Sequence, residues 1–233
     1  MKNIMILIVV SWFYTTATFA QNDAYTSGRT HWGIKAGYTA AQLKGRDLSR
    51  LSNGGDATSL KSFHVGLTLN SELSTHFWLK HDLLFYRQGG IVSLKDDQGE
   101  TYKSKLVINT FTLMPISPTF QYKGIQLYAG PYISFVSNAS IQRKDENGNL
   151  YKDSSFFGTP EQPSNYAQKM DFGAVAGLEY EFPFGLNVGV RFQRGFVNII
   201  ENANSIDENG TVTPQTKIRN QSLSFSLGYT FGK

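Results

Sequence analysis

Apolar and polar residues alternate strictly along much of the chain, most clearly in residues 222–231. Leu223, Phe225, Leu227, Tyr229 and Phe231 share one face of this segment, and the other face carries only Ser, Gly and Thr. A period of two places successive side chains on opposite faces of a β-strand. The segment therefore predicts a strand with one wholly apolar face, and its length suits a tilted crossing of a lipid bilayer.

The same alternation recurs in seven earlier segments, of which four are regular and three are less so. The regular segments are residues 32–39, 63–70, 171–182 and 186–193, and the less regular ones are residues 77–88, 106–122 and 125–137. Pro115 and Pro118 interrupt one of them, and a ladder tolerates proline only at edges, ends or bulges. The pattern predicts an all-β fold, an eight-stranded antiparallel up-and-down transmembrane β-barrel.

The connections between these strands alternate in length. The long ones are residues 43–60, 89–105, 138–168 and 198–220, and the short ones are residues 71–76, 123–124 and 183–185. In an antiparallel barrel this alternation brings all long connections to one rim, as in bacterial outer-membrane barrels with long extracellular loops. We therefore expect four long extracellular loops and two periplasmic termini.

Three of the long connections contain a short acidic stretch that ends in glycine, at residues 95–99, 144–148 and 207–210. Such sequences favour tight hairpin turns, because glycine supplies the positive φ that these turns need. Calcium binding is the alternative, but no stretch has ligands at alternate positions closed by a distant Glu. We interpret the three stretches as hairpins that stand above the membrane.

Composition supports a membrane barrel. The 233 residues include 17 Phe, 12 Tyr and 3 Trp, but only 17% are charged. A mean hydropathy of −0.28 is too polar for a bundle of membrane helices. There is no cysteine, which excludes disulfides, thiolate metal sites and a cysteine nucleophile.

The first twenty residues have the pattern of a secretory signal peptide. Lys2 is followed by an apolar run over residues 4–14 and by a small-x-small site that ends at Ala20. The run is shorter than the roughly 20 residues that a membrane anchor needs. We expect cleavage after Ala20, which leaves residues 21–233 as the barrel domain. Loss of Lys2 lowers the net charge from +4 to +3, and without a basic stripe we expect no nucleic-acid partner.

The polar face of the strands has the composition of a crowded barrel interior. Glycines recur on it at Gly33, Gly37, Gly66, Gly173, Gly177 and Gly189. Aromatic residues lie near predicted strand ends, where membrane barrels carry interfacial girdles. These are Trp32, Phe63, Phe77, Phe85, Phe182, Tyr229 and Phe231. We therefore expect the apolar face to contact lipid and the polar face to fill the lumen.

Charged residues also fall on predicted lumen positions. They are Lys35, Lys80, Asp82, Glu179, Glu181 and Arg191, with Tyr86 and His64 nearby in the alternation. Burial of an unpaired charge is costly, so a filled lumen must pair them. We interpret the group as a structural ion-pair plug, with an ion path or a ligand pocket as alternatives.

No catalytic, cofactor-binding or metal-binding residue is predicted, and no cofactor. Loop lengths place His31, His76 and His81 near the periplasmic rim and His64 toward the outer side. The chain has no Gly-x-Ser-x-Gly elbow that would pair a nucleophile with His64. A soluble lipocalin-like ligand carrier is an alternative, and it requires charged outward faces.

Several segments together resemble the PorT-like outer-membrane β-barrels of Bacteroides-type Gram-negative bacteria. They are residues 32–37, 81–90, 129–132, 171–177 and 223–231. Residues 81–90, HDLLFYRQGG, are similar to an acidic-Leu-Leu-Tyr-Ser-Gln-Lys-Gly segment of that family. The resemblance implies a barrel in the bacterial outer membrane and carries over no catalytic residue.

We therefore expect a non-catalytic outer-membrane protein with a structural role or a role in surface recognition. Its expected partners are the lipid bilayer, the outer-membrane assembly machinery acting on the final strand, and a protein partner at the long loops. Residues 138–168 contain Tyr151, Phe156, Phe157 and Tyr166 as candidate anchors. An accessory role in protein secretion or envelope assembly is the alternative that the resemblance implies.

Overall fold

The computed structural model describes residues 28–50, 52, 57–96, 98–154, 168–199 and 217–232. The strands are β1 (Thr30–Lys44), β2 (Ala57–Thr58), β3 (Leu60–Glu72), β4 (Phe77–Lys95), β5 (Thr101–Tyr122), β6 (Ile125–Lys144), β7 (Leu150–Asp153), β8 (Met170–Glu181), β9 (Leu186–Gly195) and β10 (Arg219–Phe231). A 3-10 helix spans Leu48–Arg50. No helix in these ranges is long and apolar enough to cross a membrane.

The long strands close into a ring. Within the described residues, eight strands pair antiparallel in the order β1, β3, β4, β5, β6, β8, β9, β10, and β10 pairs again with β1. The short strands lie outside this ring, β2 on β4 and β7 on β6. Closure pairs the backbone of every ring strand on both sides, so the predicted eight-stranded barrel is confirmed.

Two of the predicted hairpins are confirmed, and their strands are longer than the alternation predicted. β4 and β5 continue to a turn at residues 96–100, where the Asp96 N–H donates to the Glu100 carbonyl over 3.0 Å. A second turn joins β6 and β7, with a bond of 2.9 Å from Asp145 N–H to the Asn149 carbonyl. Much of the predicted loop 89–105 is therefore strand. The third stretch, residues 207–210, lies outside the described residues.

The carboxylates of these turns cap the turns themselves. Asp96 Oδ1 accepts the Glu100 N–H at 2.7 Å, and Asp145 Oδ1 accepts the Asn149 N–H at 2.6 Å. Asp side chains commonly bond nearby backbone N–H groups in turns. This geometry supports turn chemistry at both sites over the calcium alternative.

The short connections lie at the opposite end of the barrel. Between β5 and β6, Lys123 and Gly124 both have positive φ, at 48° and 86°. That pair of conformations is the two-residue turn that best matches the twist of a hairpin. The prediction of short connections at one rim is confirmed for the part of the chain that the structure describes.

The two strand-interrupting prolines lie at a β-bulge, as a ladder requires. Pro115 and Ile116 on β5 oppose His81 alone on β4, because the register shifts between Lys80 and Asp82. The β5–β6 register also breaks, between Leu113 and Thr119. A bulge leaves a backbone group without its ladder partner, and His81 Nδ1 bonds the Pro115 carbonyl here. His81 thus lies deeper in the barrel wall than the predicted periplasmic rim.

The outward face forms an apolar belt between two aromatic bands. At the short-turn end Trp32 stacks on Phe231 with ring centroids 4.3 Å apart. Toward the other end Phe63, Phe85 and Phe111 follow one another across three strands. Trp32, Phe63 and Phe77 are each about half exposed. The predicted girdles are confirmed, and the soluble-carrier alternative is wrong because its charged outward face is replaced by this belt.

The two faces exchange their chemistry beyond the belt, toward the long connections. Here most inward side chains are apolar, with a few buried polar ones such as Gln88 and Ser104, and many outward side chains are basic or polar. The buried apolar cluster consists of Leu43, Leu48, Ala57, Val92, Leu106, Ile108, Ala139, Ile141, Ile199 and Ile218. Full burial of one such side chain contributes roughly 1.5–3 kcal/mol. The barrel mouth therefore has a core of the kind found in water-soluble proteins. We name these ten buried residues the apolar mouth cluster.

Candidate functional site

All eight predicted lumen residues point into the barrel and are buried. They are Lys35, His64, Lys80, Asp82, Tyr86, Glu179, Glu181 and Arg191. They come from β1, β3, β4, β8 and β9, and each sits on the inward position of its strand. The alternation therefore correctly predicted that each of these side chains lies on the inward face of its strand. Hydrogen bonds and ion pairs join these side chains into a network, which we name the lumen network.

Glu179 is the acceptor at the centre of the lumen network. Its Oε1 accepts from Lys35 Nζ at 2.6 Å and its Oε2 accepts from Lys80 Nζ, also at 2.6 Å. The Tyr128 hydroxyl donates to the same Oε1 at 2.9 Å. Two charge-assisted bonds of this length are strong ones. One carboxylate on β8 thus holds two lysines that enter from β1 and β4.

Arg191 crosses the lumen to the second carboxylate. Its Nη2 donates to Asp82 Oδ2, its Nε donates to the Tyr128 hydroxyl at 2.8 Å, and its Nη1 donates to the Tyr86 hydroxyl at 3.3 Å. Lys35 Nζ lies 3.7 Å from the same Asp82 oxygen. The guanidinium therefore has a carboxylate and two phenols as acceptors, as a buried cation requires.

Tyr128 was not singled out from the sequence, although it lies between the charges. It accepts from Arg191 and donates to Glu179, and Lys80 Nζ lies 4.4 Å from its ring centroid. An ammonium at this distance from an aromatic face is attracted to it. Gly177 on β8 leaves room for the ring, since a Cβ there would collide with it. The available signal was that Tyr128 lies on the more polar face of residues 125–137, together with Gln126 and Ser134.

The network extends toward the short-turn end through an amide. Gln126 Oε1 accepts from Lys80 Nζ at 2.8 Å, and Gln126 Nε2 donates to Glu181 Oε2 at 2.5 Å. With Glu181 included, three cations face three carboxylates, so the formal charge of the six predicted residues is zero. Neutrality and multiple hydrogen bonds are the conditions under which buried charges are tolerated.

His64 lies in a hydroxyl layer on the long-connection side of the network. Its Nδ1 is 2.9 Å from Thr39 Oγ1 and its Nε2 is 2.9 Å from Ser226 Oγ. Ser226 is not part of a Gly-x-Ser-x-Gly elbow, the motif whose absence from the sequence argued against a nucleophile beside His64, and only the fold brings it to the ring. No carboxylate among the described residues bonds the ring, and Ser226 and His64 are 8% and 1% exposed. The pair therefore lacks both the orienting acid and the access of a catalytic dyad.

The remaining histidines lie outside this layer. His31 is buried and stacks on Trp78, and His76 stacks near Phe120 and Tyr122 at the short-turn end. In the described part of the chain, no group of three or more His, Asp or Glu side chains has the arrangement of a metal site. The arrangement as a whole ties opposite walls together and fills the lumen.

Several solved outer-membrane proteins are similar to this chain at low sequence identity. Neisserial surface protein A is 12% identical, with 86% of this chain and 97% of that chain covered and a TM-score of 0.47. Ail of Yersinia pestis is 12% identical, with 87% and 99% covered and a TM-score of 0.44. OprG from Pseudomonas aeruginosa is 10% identical, with 88% and 98% covered and a TM-score of 0.42.

A family model provides the assignment. No curated protein matches the chain. The model described as outer membrane protein beta-barrel domain matches residues 19–201, which is well over half of the sequence. The location predicted from the apolar belt is therefore confirmed, and the protein is an outer-membrane protein. The chain belongs to the family of outer membrane protein beta-barrel domains.

Proposed function

We propose that this protein is a closed, non-catalytic barrel of the outer membrane that presents its long connections for recognition at the cell surface. The observation that carries the proposal is that two separate groups of buried side chains fill the lumen. The lumen network ties the walls together, and the apolar mouth cluster packs the lumen toward the long connections. An eight-stranded barrel leaves just enough interior for side chains to fill.

The pairing within the lumen network argues against an ion path. Lys35, Lys80 and Arg191 each bond a carboxylate, and each is at most 2% exposed. An ion crossing the lumen would have to displace a neutral, hydrogen-bonded network and then pass the buried side chains of Leu43 and Leu106. Both steps oppose conduction.

The extended hairpins supply the recognition surface. Lys144 Nζ bonds Asp96 Oδ2 at 2.8 Å and so joins the end of β6 to the β4–β5 turn. On β7, Leu150 is 56% exposed and Tyr151 is 48% exposed. Large apolar side chains held on a braced hairpin are suitable anchors for a protein partner. Phe156, Phe157 and Tyr166 lie outside the described residues.

The proposal also includes the signal peptide, the orientation in the membrane, the assembly route and the branch of the family. Residues 1–20 act as a signal peptide, so N-terminal sequencing of the mature protein should begin at Gln21. The long connections face the outside of the cell, and the assembly machinery acts on the final strand, β10. The motifs at residues 32–37, 81–90 and 223–231 support membership of the PorT-like branch.

Conductance tests the closed barrel. The purified full chain should give no current steps in planar bilayers, because the lumen network and the apolar mouth cluster together fill the lumen. The double variant L43G/L106G, which removes two of the ten side chains of the apolar mouth cluster, should also stay closed, since the lumen network remains. Stable conductance steps from the wild type would refute the proposal.

Capture from solubilised membranes tests recognition. The double variant L150S/Y151S should lose a partner that the wild type retains. The control is L73S, which removes a side chain of similar exposure, 64%, before β4 at the short-turn end. A partner retained by L150S/Y151S and lost by L73S would instead support the accessory role in secretion or envelope assembly.

A further inference from the structure

A cavity of about 540 Å³ lies at the short-turn end of the lumen. Its described lining residues come from the ends of every ring strand except β9. They include Asn70 on β3, Trp78 on β4, Gln121 on β5 and Thr230 on β10. Pockets that hold small molecules typically have volumes of about 300–1,000 Å³. We name this cavity the vestibule.

The lumen network closes the inner end of the vestibule. Gln126 and Glu181 belong both to the lining of the vestibule and to the lumen network. Gln126 Oε1 accepts from Lys80 Nζ at 2.8 Å, and its Nε2 donates to Glu181 Oε2 at 2.5 Å. The vestibule is therefore a blind pocket, so a molecule that enters it from the side of the short turns is held there.

Two polar groups of the vestibule lining are buried without a hydrogen bond. His31 Nδ1 and Trp78 Nε1 have no partner in the part of the chain that the structure describes. Asn70 and Thr230 bring further polar groups into the lining and are only 7% and 3% exposed. Because most buried polar groups in proteins do have partners, these unmet bonds indicate that water or a ligand completes the site.

The lining offers hydrogen-bond donors and acceptors together. Arg29 and Trp78 carry groups that only donate, and Glu72 carries a carboxylate that accepts. The amides of Asn70 and Gln121 do both. An ammonium group only donates, and an ionised phosphate only accepts, whereas a hydroxyl group does both. A ligand with several hydroxyl groups therefore matches this lining better than an organic cation or an anion does.

The charges around the vestibule favour an uncharged ligand. Arg29 and Glu72 lie together at its rim, where the Glu72 backbone N–H donates to the Arg29 carbonyl over 2.8 Å. Their formal charges cancel. Glu181 is one of the six charged residues of the lumen network, whose formal charges also sum to zero. The vestibule therefore has no net charge that would select an ion.

Two aromatic rings add apolar surface to the polar lining. Trp78 and His31 stack with ring centroids 5.8 Å apart, and each braces the other. Trp combines a large apolar ring with a single N–H donor. A sugar ring has the same two properties, because its C–H groups form apolar patches between its hydroxyl groups. The lining thus combines the two kinds of contact that a sugar needs.

We propose that the vestibule binds a saccharide, one or two sugar units in size, which enters from the side of the short turns. The Trp78 N–H donates to one hydroxyl group, the amides of Asn70 and Gln121 bond others, and the Glu72 carboxylate accepts from another. This site lies at the opposite end of the barrel from the proposed recognition surface on β7. Its failure would leave that proposal unchanged.

NMR of the tryptophan side chains tests the proposal directly. The full chain is studied in micelles of a detergent without a sugar headgroup and titrated with cellobiose or with N,N′-diacetylchitobiose. The indole N–H resonance of Trp78, assigned with W78F, should shift and reach saturation with at least one disaccharide. Trp32 stacks on Phe231 in the outward aromatic band, so its resonance should not move. No shift at Trp78, or equal shifts at Trp78 and Trp32, would overturn the proposal.

A pair of matched variants locates the site. N70L removes an amide from the vestibule and should weaken the affinity for the disaccharide roughly 2- to 10-fold, as expected for one lost hydrogen bond. Q193L removes an equally buried amide on the other side of the lumen network, and it should bind like the wild type. Equal affinities of N70L and Q193L would overturn the proposal. If N70L does not fold, Q121L provides the same comparison, because Gln121 is only half-buried.

Other probes distinguish other ligands and the source of the sugar. Putrescine or inorganic phosphate that shifts the Trp78 resonance when neither disaccharide does would assign the vestibule to an ion. That result overturns the proposal. A six-unit oligomer of the sugar that binds is then compared with the disaccharide. Tighter binding of the oligomer supports the end of a glycan chain as the ligand, and equal affinity supports a free saccharide.

Discussion

Arg191 on β9 donates a hydrogen bond to Asp82 on β4, and these two strands are separated by three strands on either side of the ring. The pair therefore spans the full width of the barrel. Both side chains are 1% exposed. A bond of this kind resists changes in barrel shape, because any widening of the lumen must separate two buried charges.

We predict that removal of one partner strongly destabilises the barrel. R191M should lower the free energy of unfolding by about 3–5 kcal/mol, since it leaves the Asp82 and Glu179 carboxylates short of a buried cation. Urea unfolding in detergent micelles measures the change. The double variant R191M/D82L should recover much of the loss, because no unpaired charge then remains at that position. Equal stability of R191M and the wild type would contradict the structural role of the pair.

We predict a second, smaller effect at the bulge in the wall. H81L should lower stability by about 1–3 kcal/mol, because the Pro115 carbonyl then faces lipid without a donor. H81Q restores a donor and should recover part of the loss. H76L, at the short-turn end, is the matched control and should be nearly neutral. The same unfolding experiment compares all three variants.

The lipid-facing side of β10 gives a third prediction. F225R places a charge in the apolar belt, where a cost of about 2–4 kcal/mol is expected. Q221R adds the same side chain to the same face of the same strand, but beyond the belt, where its main cost is repulsion from its cross-strand partner Arg194. We expect that cost to be about 0.2–1 kcal/mol, well below the cost of F225R. Folded barrels migrate differently from heated ones on gels, and this mobility shift measures assembly. Normal assembly of F225R would contradict the assignment of this face to lipid.

The strength of the ion pair between Lys144 and Asp96, which we call the brace, should depend on pH. The hydrogen bond from Lys144 holds the pKa of Asp96 below its ordinary 3.8, and the same bond holds the pKa of Lys144 above 10.5. The brace is therefore complete between about pH 4 and pH 10. It is lost as pH falls through the lowered pKa of Asp96, or as pH rises through the raised pKa of Lys144.

NMR titration of the Asp96 carboxyl measures this brace. K144M should return the pKa of Asp96 toward its ordinary value. K152M changes a lysine on the same hairpin that has no bond to Asp96 in the structure, and it should leave the Asp96 pKa unchanged. Unchanged titration in K144M would show that the brace does not form in solution.

Surface labelling tests orientation. An epitope inserted at Asn147, in the β6–β7 turn, should be labelled on intact cells, because we propose that the long connections face outward. Epitopes at Gly124 or Gly185, in the short turns at the other end, should be labelled only after the outer membrane is permeabilised. The opposite pattern would reverse the proposed topology.

Within the candidate site, sequence reasoning predicted inward positions but not partners. Lys35, Lys80 and Glu179 were each placed in the lumen by alternation, which is a local property of one strand. Their meeting depends on the register and shear of the closed ring, and these arise from pairing between distant segments. The Ser226–His64 pair was missed for the same reason, because it joins β10 to β3, which lie on either side of β1.

The mouth of the barrel was also missed. Leu43, Leu106 and Ile141 fell in or at the edges of segments interpreted as loops, since the outward residues there are basic and the expected apolar lipid face is absent. The structure shows strands with their apolar side turned inward. Alternation alone does not say which face is inside when water replaces lipid around the wall.

The sequence by itself determined the eight strands, the apolar belt, the aromatic bands and the inward position of every predicted lumen charge. Each of these follows from the period of two, which local sterics impose on any extended chain. Only the tertiary structure decided that Arg191 meets Asp82, that His81 bonds the carbonyl freed at Pro115, and that Lys44 stands beside Arg219. Those contacts join residues far apart in sequence, and their geometry exists only once the ring has closed.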